Sequence, residues 1–361
     1  MKNDLASLGS ASAPSMETIA AAAGVATSTV SRALKGDARI SPQTSRRIRE
    51  ITERLGYRPN PLVSALMTQL RYGHPPVARC NLAWLDFFPG PEDWRDDPVQ
   101  VAFWQGAQRQ AQRLGYAINR IRTQDKSPKR LAGQLHSRGI QGVLVPPFDE
   151  SDGLATTIPL PLDSLTIVGV GTRFEKPALH YSSDDQFEYG RMAVQKLWER
   201  GYRRIGYVGE PRVEKFVNGR FFAGYYSTLC SELGGTPLPP LVSARDDDAI
   251  EWLRQAKPDV IVTANRRLLS VLRKAGLRVP DDVALAHLNI EDVEGASAAE
   301  VAGIRQDNVG VGANAVELLV SLLYQNESGI PVHPRGIQVH GVWVDGPTVS
   351  RPKPERQTAT N

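Results

Sequence analysis

The sequence predicts an α/β protein in which a small helical head precedes a two-lobed body of doubly wound parallel sheets. Three observations indicate this fold class. Two short helix patterns are joined by a glycine near the N-terminus, arginine is concentrated in the same part of the chain, and strand and helix patterns alternate after residue 80. Because alternating strands and helices form parallel sheets covered on both faces, we expect such sheets in the body and not in the helical head.

Composition limits the classes of protein that this chain can represent. A length of 361 residues suits two or three domains, and 41% hydrophobic with 23% charged residues is typical of a globular protein. No apolar run is long enough to cross a bilayer. Residues 1–15 are polar and lack the apolar segment of a secretory signal, so we expect a flexible leader on a cytoplasmic protein. Cys80 and Cys230 are far apart, which argues against a disulfide or a metal site.

The net charge of +4 is distributed unevenly along the chain. Between Met16 and Tyr72 there are nine basic and four acidic residues, so the rest of the chain is close to neutral. A basic head in front of a near-neutral body indicates a polyanionic partner for the head alone. A solvated surface is the alternative explanation of such a run of charges.

The stretch 16–34 has the pattern of a helix-turn-helix. Its first helix ends at Gly24, which can adopt the positive φ of a helix C-terminus, and a second helix runs from about Thr27 to Leu34. The apolar stripes of the two helices consist of Ile19, Ala20, Ala23, Val30, Ala33 and Leu34. We expect the polar, arginine-bearing face of the second helix to point towards base edges or phosphates. An ordinary αα-hairpin is the alternative.

A third helix and a hinge helix are expected next. Ser41 can cap the third helix with Pro42 at its first position, and Ile48, Ile51 and Leu55 form its inward stripe. Together the three helices define a head at residues 16–59. The following segment, 60–76, predicts an unusually apolar hinge helix, which needs a second subunit or DNA to be stable.

Strand and helix patterns alternate through residues 77–348. Strand patterns occupy 81–87, 116–123, 140–148, 165–171, 203–210, 259–265 and 282–289. Helix patterns occupy 100–116, 129–139, 189–202, 220–235, 247–258, 267–280 and 308–325. We expect two lobes, about 80–183 and 184–340, with a ligand cleft at the carboxyl ends of their strands. Residues 349–361 predict a disordered tail.

The order of basic helix-turn-helix, YRPN, apolar hinge helix and two-lobed body resembles the LacI/GalR family of bacterial transcription regulators. The resemblance covers residues 16–348, and its most specific part is TIAAAAGVATSTVSRALKG…ISPQTSRRI…LGYRPNP. It implies a homodimeric repressor whose two heads enter successive major grooves of a pseudo-palindromic operator.

Particular residues carry these implied DNA contacts. Thr27 and Ser28 occupy the base-reading positions, and Leu66 matches the leucine that wedges into the minor groove, with a dimer contact as its alternative role. The complete set of predicted DNA-binding residues is Thr18, Thr27, Ser28, Thr29, Ser31, Arg32, Arg58, Asn60 and Leu66.

The same resemblance implies that the cleft binds a small effector, often a sugar or a purine. The predicted effector-binding residues are Phe103, Trp104, Arg220, Asn265, Arg266, Asn289 and Gln306. Arg266 and Asn289 stand where the family often has carboxylates, so we hypothesise a more cationic cleft and an anionic effector or sugar derivative that pairs with Arg220. Arg266 facing solvent, and aromatic residues that only pack, are the alternatives.

Other functional classes have weaker support. The chain has no GxGxxG after a strand, no Walker loop, no HExxH and no nucleophile elbow, so we expect neither an enzyme nor a cofactor. Its six histidines are scattered, which predicts no metal site. A solute-binding protein is the alternative because it shares the two-lobed body. The expected partners are operator DNA, an effector and a second copy of the chain, with no membrane.

Overall fold

The computed structural model describes residues 15–34, 39–55, 80–87, 97–123, 126–150, 153–154, 165–171, 173–174 and 176–349. The predicted leader, the hinge helix and nearly all of the tail lie outside these residues, as do the predicted DNA contacts Arg58, Asn60 and Leu66. The chain divides into two compact units, 1–77 and 78–361, which are described separately.

The first unit contains the predicted helix-turn-helix and the third helix. Its helices are α1 (Met16–Ala23), α2 (Thr27–Leu34) and α3 (Pro42–Arg54). Gly24 adopts φ 63° and ψ 37°, and its N–H closes α1 on the carbonyls of Ala20 and Ala21. Ser41 Oγ accepts the Thr44 N–H at 3.1 Å ahead of Pro42, so the predicted cap of α3 is confirmed.

A small apolar centre holds these three helices together. The buried side chains come from all three: Ile19, Ala20, Ala23, Val30, Ala33, Ile48 and Ile51. Val25 and Leu55 pack against this centre and are partly buried. The predicted apolar stripes therefore face one another, which leaves the polar face of α2 on the outside.

The first lobe of the body contains a six-stranded sheet whose strands are all parallel. In sheet order these strands are β13 (Gly336–Val339), β7 (His180–Asp184), β6 (Thr166–Val170), β3 (Gly142–Val145), β1 (Cys80–Asp86) and β2 (Tyr116–Arg122). A separate antiparallel pair is formed by β4 (Asp149–Glu150) and β5 (Gly153–Leu154). One face of the large sheet packs on α5 (Pro128–Ser137), and the other face packs on α11 (Asn308–Tyr324), which lies against α4 (Pro98–Arg113).

The second lobe contains another six-stranded sheet, parallel except for one edge strand. In sheet order its strands are β14 (Val342–Val344), β12 (Ala302–Arg305), β11 (Ala284–His287), β10 (Val260–Thr263), β8 (Ile205–Gly209) and β9 (Leu241–Val242), and β14 is the antiparallel one. The helices of this lobe are α6 (Gln186–Glu199), α7 (Pro211–Phe216), α8 (Arg220–Ser227), α9 (Asp246–Ala256) and α10 (Leu268–Lys274). Buried clusters lie on both faces of the sheet, one against α6 and α8 and the other against α9 and α10.

The chain passes between the lobes three times, and this corrects the expected boundary at 183/184. The crossovers run from β7 to α6, from β12 to α11, and from β13 to β14. As a result, α11 and β13 belong to the first lobe although the sequence order suggested the second. The strong apolar pattern of α11 predicts a buried helix but does not specify the sheet that covers it.

No helix within the described residues is long and apolar enough to span a membrane. Cys230 is a partly buried free thiol, and the side chain of Cys80 lies outside the described part.

Candidate functional site

The exposed face of α2 is the first candidate site. Thr27, Ser28 and Arg32 are exposed, while Thr29 and Ser31 are half-buried at the edge of the apolar centre. The Ala26 carbonyl accepts the N–H groups of Thr29 and Val30 at 2.9 and 3.2 Å, so the helix starts from Ala26. Thr27 and Ser28 therefore lie in the first turn of the helix, where both side chains are exposed.

Thr18 has a local structural role at the start of α1. Its N–H donates to Ser15 Oγ at 3.2 Å, and its hydroxyl accepts the Ser15 N–H at 3.3 Å. These two bonds satisfy backbone donors that would otherwise be left at the helix N-terminus. Thr18 is nevertheless exposed, so this cap lies at the surface of the head.

The second candidate site is a cavity of about 270 Å³ between the two lobes of the body. This volume is near the lower end of the range of about 300–1,000 Å³ that is common for small-molecule sites. The first lobe contributes lining residues that include Asp97, Gln100, Phe103 and Asp184. The second lobe and its crossovers contribute Gln186, Phe216, Phe221, Arg266, Asn289 and Gln306, among others.

Three phenylalanines supply the aromatic part of an apolar lining that also includes Val99, Pro147, Val213, Val217 and Ala264. Phe103 lies on α4, Phe216 at the end of α7 and Phe221 at the start of α8, so both lobes contribute aromatic surface. Phe103 is 2% exposed and packs against Gly171, where an added Cβ would lie 2.4 Å from the ring. The ring therefore occupies a fixed position at the base of the cavity.

Asp97 and Asp292 bring carboxyl groups to the cavity from opposite lobes. Asp97 Oδ1 caps α4 by accepting the N–H groups of Val99 and Gln100 at 2.9 and 3.2 Å. Burial raises the pKa of Asp97, and Asp292 across the cavity raises it further, although the helix N–H groups and Arg266 oppose this. Burial likewise raises the pKa of Asp292, against the attraction of Arg266. For both carboxyl groups, the cost of burying a negative charge therefore exceeds the stabilisation that nearby N–H groups and Arg266 provide.

The charges that line the cavity do not match the hypothesis of a cationic cleft. Arg266 Nε lies 3.5 Å from Asp292 Oδ1, so the guanidinium is engaged by a carboxylate. Arg220 is absent from the lining residues. Among the described lining residues, the carboxyl groups of Asp97, Glu210 and Asp292 outnumber the guanidinium groups of Arg212 and Arg266 even when Asp184 is neutral. Carboxyl groups that were not among the predicted effector-binding residues therefore make the cavity acidic, where a cationic one was expected.

Only some of the predicted effector contacts line the cavity. Phe103, Arg266, Asn289 and Gln306 line the cavity, whereas Trp104 and Asn265 do not. The Trp104 ring packs edge-on against Trp84, with 5.4 Å between ring centroids.

Asn265 and Gln306 have partners in the backbone. Asn265 Oδ1 accepts the Arg267 N–H at 3.0 Å, which fixes the turn after β10. Gln306 Nε2 donates to the Leu288 carbonyl at 2.9 Å, which fixes the second crossover beside the cavity.

Several lining residues were missed by the sequence argument. Asp97 immediately precedes α4 at a position that no motif marked, and Phe216 lies on a helix that was not predicted. The pattern Asp-x-x-Gln at 97–100, with Pro98 at the first helical position, was an available signal for a capped helix start. No group of three or more His, Cys, Asp or Glu side chains within the described residues could hold a metal ion.

Comparison with protein families matches both parts of the chain. Residues 15–60 match the family described as bacterial regulatory proteins, lacI family, and residues 194–342 match a periplasmic binding protein-like domain. Among curated proteins, the chain is similar to the HTH-type transcriptional regulator CelR of Thermobifida fusca, at 27% identity over 85% of this chain and 91% of that protein. It is also similar to the regulator GntR of Pseudomonas aeruginosa, at 26% identity over 87% and 90%.

Solved structures show the same fold. A complex of the transcriptional regulator CelR with cellobiose aligns with a TM-score of 0.58 and 23% identity over 93% of this chain and 100% of that one. The lac repressor dimer bound to operator and the anti-inducer ONPF aligns with a TM-score of 0.54 and 16% identity over 93% and 99%. The arrangement of helical head and two-lobed body is therefore shared across these regulators.

Proposed function

The chain belongs to the LacI family of bacterial regulatory proteins and is a DNA-binding transcriptional regulator, and we propose that it represses transcription as a homodimer at a pseudo-palindromic operator. The exposed, arginine-bearing face of α2 is the observation that supports the DNA-binding half of this proposal. The interlobe cavity supports the effector-binding half. No catalytic step forms part of this function, which is exercised at DNA in the cytoplasm.

Thr27, Ser28 and Arg32 are the proposed base-contacting group. Their exposure on the first two turns of α2 supports this role, because short hydroxyls and a guanidinium on an exposed helix face can contact base edges in a major groove. Thr29 and Ser31 flank this group, and Thr18, which is exposed at the start of α1, is the proposed contact to a neighbouring phosphate. Arg58, Asn60 and Leu66 complete the proposed interface from outside the described residues.

We expect Arg32→Ala to weaken binding to the operator by about 10- to 100-fold, because a guanidinium contact to a base contributes about 1–3 kcal/mol. The operator is first obtained by selecting duplexes from a random library with the full-length protein. Fluorescence anisotropy at several salt concentrations then compares the variant with the parent protein. Arg54→Ala is the matched control, since that arginine is exposed on α3 outside the proposed contact face.

Thr27 tests base reading separately from phosphate binding. If Thr27 contacts a base, Thr27→Ala should change the sequence preferred in the selection while affinity for random duplex stays the same. An unchanged consensus for Thr27→Ala would contradict this assignment.

The effector that best fits the cavity is a neutral, hydroxyl-rich molecule with an apolar face, such as a saccharide. Phe103, Phe216 and Phe221 provide flat apolar surface, and the carboxyl groups of Asp97 and Asp292 can accept hydrogen bonds from hydroxyl groups. The second oxygen of Asp97 makes no hydrogen bond within the described residues. The related regulator CelR has been crystallised with cellobiose, which is consistent with this class. An anionic effector would instead meet an excess of carboxylates.

We expect a thermal-shift panel to distinguish these two effector classes. Neutral saccharides, including cellobiose and glucose, should include a molecule that raises the melting temperature, whereas the matched acids gluconate and glucose 6-phosphate should not. Asp97→Asn keeps the helix cap but removes an anionic acceptor, so it should reduce the shift. Asp185→Asn, which alters another capping aspartate outside the lining, should leave it intact. Stabilisation by the acids alone would overturn the neutral class.

A further inference from the structure

Tyr189 connects the two lobes at their crossovers. It lies on α6 in the fully buried cluster of the second lobe, yet its hydroxyl lies against the ends of two first-lobe strands. Tyr189 Oη is 3.0 Å from Asp184 Oδ1 on β7 and 2.8 Å from the Val339 carbonyl on β13. Asp184 and Val339 are partners in the sheet register, so the hydroxyl spans the point where both strands leave the first lobe.

The two short distances from Tyr189 Oη can both be hydrogen bonds only if Asp184 carries a proton. A tyrosine hydroxyl carries one hydrogen, and an ionised carboxylate and a carbonyl are both acceptors only. Tyr189 can therefore donate to Val339 or to an ionised Asp184, but not to both. If Asp184 carries a proton, it donates to Tyr189 Oη, and Tyr189 donates to Val339, which satisfies both short distances.

The surroundings of Asp184 also favour its neutral form. The residue is 5% exposed, and burial raises its pKa to about 7, with the Asp307 carboxylate raising it further and Tyr189 opposing the shift. The other titratable groups at the crossovers are Asp185 and His340, whose Nε2 lies 3.7 Å from Asp185 Oδ2. The charged groups that share the cavity with Asp184 are Asp97, Glu210, Arg212, Arg266 and Asp292.

We propose that Asp184, Tyr189 and Val339 form a proton-dependent connection between the lobes, closed when Asp184 is protonated and weakened when it ionises. Ionisation draws the Tyr189 hydrogen to the carboxylate and leaves Tyr189 Oη and the Val339 carbonyl oxygen facing each other at 2.8 Å with no hydrogen between them. Val339 retains the Asp185 N–H at 3.0 Å, so the strand end stays attached while its contact with α6 is lost. Since Asp184 also lines the cavity, and given the proposed function, the effector response becomes dependent on pH.

The test compares urea unfolding of the full-length, ligand-free protein and Asp184→Asn at pH 5 and pH 8. Asparagine keeps the shape of the neutral acid, and its NH₂ can donate to Tyr189 Oη. Tryptophan fluorescence follows the body alone, because all six tryptophans lie after residue 80. Because the folded-state pKa is raised, stability from this group is complete below the unfolded-state pKa and is lost as pH rises through about 7.

We expect the unfolding equilibrium constant of the parent protein to rise between pH 5 and pH 8 by about a hundredfold more than that of Asp184→Asn. Asp185→Asn makes the same charge change one residue away and should keep the pH dependence of the parent. His340→Gln, which removes the imidazole that lies beside Asp185, should keep it too. Equal pH dependence in the parent protein and Asp184→Asn would overturn the proposal.

A second measurement does not depend on the folding of Asp184→Asn. In protein labelled with ¹³C at aspartate carboxyls, the infrared carbonyl band of a protonated aspartate should disappear as pH is raised through about 7. In Tyr189→Phe this transition should move to higher pH, because the hydroxyl that stabilises the ionised form is gone. An aspartate band that is absent at pH 5, or a transition unmoved in Tyr189→Phe, would contradict the proposal. Neither experiment uses DNA or effector, so its failure would leave the proposed regulatory function untouched.

Discussion

Gly312→Ala should destabilise the body by about 3 kcal/mol or more, although alanine is the better helix former. Gly312 lies on α11, where an added Cβ would sit 2.0 Å from the backbone carbonyl oxygen of Phe103 on α4. The contact is reciprocal, since a Cβ on Gly106 of α4 would sit 1.9 Å from the Val309 carbonyl oxygen on α11. Backbone atoms on both sides leave no flexible side chain to move, so the two helices must separate.

The separation of these helices should also disturb the effector cavity, because Phe103 is both the residue met by the new methyl group and part of the cavity lining. Urea unfolding followed by tryptophan fluorescence measures the loss of stability. Gly133→Ala on α5 is the matched control, because nothing lies within 4 Å of the position of its Cβ. The control should gain roughly 0.5–1 kcal/mol. If Gly312→Ala were as stable as Gly133→Ala, α4 and α11 would not be packed as closely as described.

Local chemistry made much of this fold predictable. Gly24, Ser41 and Pro42 each specify a helix end, and their roles depend only on neighbours a few residues away. Most of the predicted strands, such as β10, are largely apolar because parallel strands are buried on both faces, whereas the predicted edge strand β2 also carries Asn119, Arg120 and Arg122.

The strands that were missed carry polar or very short sequences. β7 reads HYSSD, and Ser182 and Ser183 are buried in spite of their hydroxyls because they bond within the fold, Ser182 to the Val311 carbonyl at 2.9 Å. β13 alternates half-buried and exposed residues at the sheet edge. These strands form because they pair with neighbouring strands of the sheet, and the local sequence does not predict that pairing.

Some of the residues that line the cavity were predicted, but the balance of charge in the cavity was not. The family resemblance led to Phe103, Arg266, Asn289 and Gln306, which line the cavity, and also to Trp104, Arg220 and Asn265, which do not. The charge balance could not be predicted in this way. Asp97 and Asp292 are almost 200 residues apart, and only the closure of two lobes places both near Arg266.

Ile48→Ala should abolish most operator binding without changing any residue on the proposed contact face. Ile48 lies on α3, is fully buried, and packs in the same apolar centre as Val30 of α2. Removing a buried isoleucine side chain down to alanine costs about 2–5 kcal/mol. A head of about 45 residues buries little apolar surface and has correspondingly little stability to lose. A large fraction of the heads should therefore be unfolded at any moment.

A homodimer increases this loss, because an operator with two half-sites needs both heads folded at once. Affinity for the selected operator, measured by fluorescence anisotropy, should fall by about a hundredfold when each head is about nine-tenths unfolded, because the losses at the two heads multiply. The tryptophan-monitored unfolding of the body should be unchanged, since the head and body are separate compact units. Glu53→Ala, an exposed position on the same helix, should keep operator affinity within a few-fold. If Ile48→Ala bound the operator as well as Glu53→Ala does, the three-helix head would not be what presents α2 to DNA.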